Sequence, residues 1–155
     1  MATATYELIG SVNGNGSSDS LTFSSIPATY TDLVLVAKVK NASGGQQGTL
    51  LLFNGDTTTA NYSGTRVNKN NTLDDERDTS GQYIVNQTSS EFAIAVVNIM
   101  NYSSTLIRKS QIGTSTFNYS SGAFMRFQTG VWRNTAAIYS VTVLNGSSIA
   151  FTTDS

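Results

Sequence analysis

The stretch "AFMRFQTGVW", residues 123–132, decides the fold. Read with a period of two, it places Ala123, Met125, Phe127, Thr129 and Val131 on one face, the signature of a β-strand. The next apolar run, "AIYSVTV" (137–143), does the same with Tyr139, Val141 and Val143. Upstream, "EFAIAVVNIM" (91–100) is apolar on both faces and reads as a central strand covered on both sides. "TLIRKSQIGTSTF" (105–117) is long and mixed, as an edge strand would be.

Further strands are expected at "TYELIGSV" (5–12), "SLTFS" (20–24), "DLVLVAKVK" (32–40, running from core to rim), "TLLLF" (49–53), "QYIVNQ" (82–87) and "SIAFTT" (148–153). Between them, "SSIPATYTD" (24–32) holds the single proline, Pro27, and reads as a non-strand connection. Residues 54–81 are the least regular part, with "DDERD" (74–78) in a polar loop. No segment of ten or more residues carries a helical period. About ten short antiparallel strands separated by turn signals predict an all-β fold. The expected architecture is a single β-sandwich domain of jelly-roll type over residues 1–155, without linker or fixed repeat.

A chain of 155 residues buries enough surface to fold without staples. It has no cysteine, hence no disulfide and no thiolate chemistry. It has no histidine, which removes the usual general base and the commonest metal ligand. Nine Lys and Arg against ten Asp and Glu give a formal charge of -1, which favours neither nucleic acid nor an anionic membrane. Charged residues make up only 12% of the chain, about half the usual share. Ser, Thr, Asn and Gly replace them, so a large partner can be approached without desolvating many charges. The start, "MATATYELIG", lacks the basic and apolar regions of a signal peptide, and no apolar run approaches a membrane span.

"FNGDTTTANYSG" (53–64) is the stretch that most resembles a site. Asp56 could ligate calcium or a sugar, but the alternating Asx ligands and late Glu of a calcium loop are missing. Asn54-Gly55 is instead the strongest short signal for a type I′ turn, so the stretch reads as a corner in which Phe53 ends one strand and Asp56 begins the return.

Five stretches carry a resemblance: "ATYELIGSV" at the start, "LTFSSIPATYTDLVLV" (21–36), "LLFNGDTTTANYSGTRV" (51–67), "VNIMNYSS" (97–104) and "GVWRNTAAIYSVTV" (130–143). In this order, over almost the whole chain, they resemble a family of small virion proteins of tailed bacteriophages, many from cyanobacterial and marine phages. The resemblance implies a β-rich component of the virion exterior, with no catalytic, cofactor or metal residue to carry over. The first reading is a capsid decoration (cement) protein, a homotrimer bound to the major capsid protein on the outside of the head. The alternative is a tail-fibre or receptor-binding module recognising a host glycan, with Trp132, Tyr62, Tyr102 and Tyr119 as the contacts to test; Trp132, closing an alternating strand, reads first as a framework residue packed in the core or between subunits. Family members carry a further apolar strand after the position of Phe151. Here "TTDS" follows, so a sheet edge is expected to stand open or to be filled by a neighbour.

The remaining candidates have plainer readings. Asp74, Asp75, Glu76, Arg77 and Asp78 could hold a cation, but adjacent residues rarely converge on one ion. Arg66, Arg108, Lys109, Arg126 and Arg133 are scattered over separate strands and read as isolated surface cations. The N-x-[ST] matches at Asn15, Asn41, Asn61, Asn70, Asn86, Asn101, Asn118 and Asn145 follow from composition. Glu7, Asp32, Asp56 and Glu91 are the carboxylates that could pair across a cleft, but no motif marks them, and the expectation is a protein that is not an enzyme.

Overall fold

The computed structural model describes residues 6–68, 73–77, 81–119 and 122–155. Its ten strands are β1 (Ser20–Phe23), β2 (Leu33–Val39), β3 (Gln47–Phe53), β4 (Tyr62–Asn68), β5 (Leu73–Arg77), β6 (Gln82–Gln87), β7 (Ala93–Met100), β8 (Lys109–Tyr119), β9 (Gly122–Trp132) and β10 (Val141–Asn145). They form a four-stranded sheet, β1-β10-β3-β6, and a six-stranded sheet, β2-β7-β8-β9-β4-β5, antiparallel throughout. Without β8 and β9 the order is β1-β10-β3-β6 against β2-β7-β4-β5, the eight-stranded wrapping of a jelly roll. The long β8–β9 hairpin is inserted into the second sheet between β7 and β4. One 3₁₀ turn, Thr59–Asn61, is the only helical element among the described residues.

The core fills the space between the sheets. Leu21, Leu51, Phe53, Val141 and Val143 come from the four-stranded sheet, and Leu33, Val39, Ala95, Val97 and Ile99 from the facing end of the other. Where β6 crosses β8 and β9 the interior turns polar: Gln82, Gln87, Gln111, Ser115, Arg126 and Gln128 are all buried. Two glycines make that layer possible. A Cβ on Gly130 would lie 2.1 Å from Gln82 Cδ, and one on Gly64 would lie 2.3 Å from Gln82 Nε2. Any larger residue there would occupy the space that the Gln82 amide fills.

Several elements differ from the sequence reading. Residues 6–12 form no strand: among the described residues none pairs with them. The irregular region contains β4 and β5, so residues 74–77 are strand where a loop was expected, and Asp78 lies outside the described residues. Their backbone pairing with β4 overrides a poor β-propensity, as happens at sheet edges. β8 is not an edge but sits between β7 and β9. β7 is central yet covered on one side only: Ile94 and Met100 face solvent. Residues 148–153 do not form a closing strand. Phe151 makes one bridge to Asn41 and is fully buried, and the end of the chain is tied to Lys40 through Thr152 N and the Ser155 hydroxyl. That end is packed into the core, so Phe151 itself does not stand as an open edge.

Candidate docking face

The geometry of the β8–β9 hairpin begins with its pleat. Facing pairs share a side of the sheet, so the ladder sets Gln111 against Gly130, Gly113 against Gln128 and Ser115 against Arg126 on the inner side. The outer side carries Ile112 with Thr129, Thr114 with Phe127, Thr116 with Met125 and Ser110 with Val131. Met125 is 70% exposed and Phe127 47%. The alternation in residues 123–132 is therefore real, but its apolar face points to water and its Gln and Arg face points inward.

The same outer side continues across the sheet. Phe127 is level with Val67 on one flank and, through Thr114, with Val96 and then Val36 on the other. Met125 is level with Thr116, Ile94 and Lys38. Val36 is 67% exposed, and Val34, Ile94 and Met100 are also exposed. From β2 to β4 the only charge on this side among the described residues is Lys38, which lies over the Phe92 ring at the edge. Five strands about 4.8 Å apart and some eight residues long at about 3.3 Å each span roughly 600 Å². That footprint approaches the ~800 Å² per partner of a standard interface; its exposed apolar residues, Val34, Val36, Ile94, Met100, Met125 and Phe127, are interspersed with Thr65, Thr114, Thr116 and Thr129, a neutral side of mixed apolar and hydroxyl character.

The corner at residues 53–64 is structural. Asn54 and Gly55 have φ of 54° and 67°, as a type I′ turn requires, and Asp56 N closes the turn on Phe53 O. The turn does not join a hairpin, because β3 and β4 belong to different sheets; it carries the chain over the end of the sandwich. The Asn54 side chain ties it to the opposite connection, donating to Ala137 O and accepting from Tyr139 N and Ser140 N. Both Asp56 oxygens are occupied: Oδ2 accepts from Trp132 Nε1 and Asn61 Nδ2, each at 2.7 Å, and Oδ1 accepts from Thr58 N at 2.9 Å. Burial alone would raise the carboxyl's pKa, but the donors from Trp132, Thr58 and Asn61 outweigh it and hold it below the ordinary value. Tyr62 completes the cluster, accepting from Phe53 N and donating to Asp56 O, with burial pushing its phenol up to about 12. Phe53 packs on both Tyr62 and Trp132.

The other candidates disperse. Trp132, Tyr62 and Tyr102 are buried, so the aromatic platform proposed for a glycan is framework; the Tyr119 side chain lies outside the described residues. Tyr102 buckles the proline connection, donating to Pro27 O and accepting from Tyr30 N. Lys109 and Arg126 are not surface cations. Lys109 Nζ donates to the carbonyls of Ser104, Ile107 and Thr135, and burial lowers its pKa. Arg126 and Arg66 both lie over the Tyr83 ring, and Arg133 donates to Ala60 O. Asn41 and Asn145 are buried and joined by Asn145 Nδ2 donating to Asn41 Oδ1, which excludes modification at either. Asp32 accepts from Asn101 N, and Glu7 is exposed but bonded to the Tyr30 hydroxyl, whose pKa it raises, while Glu91 is exposed. Among the described residues no three acidic side chains converge where a metal could sit. No family model matches the chain, and comparison with curated proteins and with solved structures returned no match.

Proposed function

We propose that this chain is a bacteriophage capsid decoration protein, and that it binds the major capsid protein on the outside of the head through the outer side of its six-stranded sheet. The observation that carries the reading is the inverted polarity of the β8–β9 hairpin. Met125, Phe127, Ile112 and Val131 line the outer side while Gln111, Ser115, Arg126 and Gln128 are buried. A strand pair selected only for the stability of an isolated domain would place these the other way round. Sparse charge and the order-preserving family resemblance point the same way.

The work of such a protein is mechanical. Each copy, within a homotrimer, bridges capsid subunits, and contact area summed over many copies opposes the pressure of packaged DNA. A neutral face suits a large partner because few charges lose their hydration on contact. The face is already exposed in the free chain, so Met125→Lys with Phe127→Lys changes folding stability little but places two charges in the contact. The double variant is expected to fold with an unchanged melting temperature and to lose binding to particles stripped of the protein. Particles lacking the protein should assemble normally and release DNA at a lower temperature than complete ones. Wild-type binding by the double variant overturns the assignment of the face. Particles that stay equally heat-stable but no longer adsorb to cells overturn the decoration reading in favour of a fibre module.

A further inference from the structure

Two elements without a strand partner lie close together at the β2 edge of the sandwich. The first is the segment "YELIGSV", residues 6–12, which carries strand formers and no proline yet joins no sheet. Among the described residues no backbone hydrogen bond ties it to the rest of the chain; it is held by side chains alone, Glu7 on the Tyr30 hydroxyl and Val12 against the core, contacts that the pairing below exchanges for others, and Tyr6 is 73% and Leu8 83% exposed. The second is the free edge of β2. Leu33–Val39 pairs with β7 on one side only, and among the described residues its other side meets no backbone partner. Seven residues long, apolar but for Lys38, and without proline, it lacks most of the devices that protect sheet edges. β1, the other strand on this flank, is a four-residue edge. A narrow cleft of about 50 Å³ separates the two, lined by Leu21 and Phe23 of β1, Leu35 and Ala37 of β2, and Val12.

We infer that residues 6–12 of one copy add as an antiparallel strand to the β2 edge of a second copy. The charge pattern fixes the register. Glu7 is the only charge of the segment and Lys38 the only charge of β2. Setting them opposite each other places Ile9 against Val36 and Ser11 against Val34 on the outer side. The inner side then receives Leu8 against Ala37, the smallest residue on the strand's core face, and Val12 against Leu33. Leu8 fills the cleft, and the exposed apolar side chains of both elements are covered together.

The segment cannot make this pairing with its own β2. Gly14 N donates to Ser155 O, and the Ser155 hydroxyl binds Lys40 N, so the segment's exit is anchored at the Lys40 end of the strand. Val12 lies within about 7 Å of chain from Gly14, whereas the register calls for it beside Leu33, roughly 23 Å away at the far end of β2. Within one chain the segment can only run parallel to β2, which sets Glu7 near Val34 instead of Lys38. Passing from each copy to the next, the contact is head-to-tail and closes into a ring when the rotation between copies allows, a trimer included.

The test needs no capsid, so its failure is separable from failure of the docking face. The chain has no cysteine of its own, so E7C and K38C chains can be prepared separately, with different masses, then mixed, unfolded, refolded together and oxidised. A disulfide-linked heterodimer in the mixture, well above the homodimer level of either chain alone, is the expected result. L8D should fold with the circular dichroism spectrum of the wild type and associate at least tenfold more weakly in sedimentation. Three results overturn the proposal: no heterodimer in the mixture, a wild type that sediments as a monomer at millimolar concentration, or an L8D chain that associates as the wild type does.

Discussion

Replacing Asp56 by Ala tests whether residues 53–64 are a corner or a site. The substitution removes three accepted hydrogen bonds at once. The costliest loss is at Trp132, whose indole is 1% exposed and whose Nε1 donates to Asp56 Oδ2. A buried donor without a partner costs about 1–3 kcal/mol. The Asn61 amide is half-buried and loses a charge-assisted bond, while the Thr58 amide is exposed and passes to water at little cost. The total is about 3–4 kcal/mol. For a chain of this size each kcal/mol lowers the melting temperature by about 2–4 °C, so Asp56→Ala should melt roughly 10 °C below the wild type by calorimetry. Asp56→Asn should fall between, because its amide can accept on one side only and presents a donor to Trp132, Asn61 or Thr58. The pH dependence has a fixed sign. The folded carboxyl titrates below its unfolded value near 3.9, so its contribution is complete above that value and fades as pH falls through the folded one. The gap between wild type and Asp56→Ala should therefore be constant at neutral pH and narrow below about pH 4. A gap under about 2 °C at pH 7, or a calcium-dependent rise in the wild type that Asp56→Ala lacks, would refute the corner.

At Gly55 a Cβ would meet nothing within 4 Å, so Gly55→Ala isolates the strain of a side chain at φ 67° and should cost about 1 kcal/mol in urea melts without altering the fold. Gly130→Ala should cost about 1–3 kcal/mol through its clash with Gln82, and adding Gln82→Ala should recover part of that loss; additive effects would show that the two residues do not share the space. Phe151→Ala should destabilise the domain by about 3–5 kcal/mol, because the side chain is fully buried, whereas a change confined to particle binding would show that the end of the chain acts as an arm.

The fold was legible because strand formation depends on a local period, and the jelly-roll wrapping follows from ten such strands packed in two layers. The errors have one cause. A sequence shows which residues alternate but not which strand supplies the ladder. Residues 6–12 alternate as well as β1 does, yet only residues 20–23 find β10 beside them. Residues 74–77 have almost no strand propensity, yet β4 pairs with them along its edge. "TLIRKSQIGTSTF" looked like an edge because it is long and mixed; in the sandwich its side bearing Gln111 and Ser115 is buried, facing β6.

That last strand also shows why the docking face could not be read from the sequence, although each of its residues was in view. Alternation sorted Met125, Phe127 and Val131 from Arg126, Gln128 and Trp132 correctly, and no local signal says which set faces water. The ordinary rule sends apolar residues inward. It fails here because Trp132 must lie inside to meet Asp56 and Phe53, and with a period of two Gln128 and Arg126 must follow it. Gly64 and Gly130 then accommodate Gln82 against them. One fixed aromatic at the end of β9 therefore sets the polarity of the whole hairpin and turns Met125 and Phe127 outward, where none of the described residues covers them. The signal that could have revealed it was the spacing of glycines opposite glutamines: Gly130 pairs with Gln111, and Gly113 with Gln128. Small residues facing large amides across a ladder mark the side where space is scarce, and that is the inside.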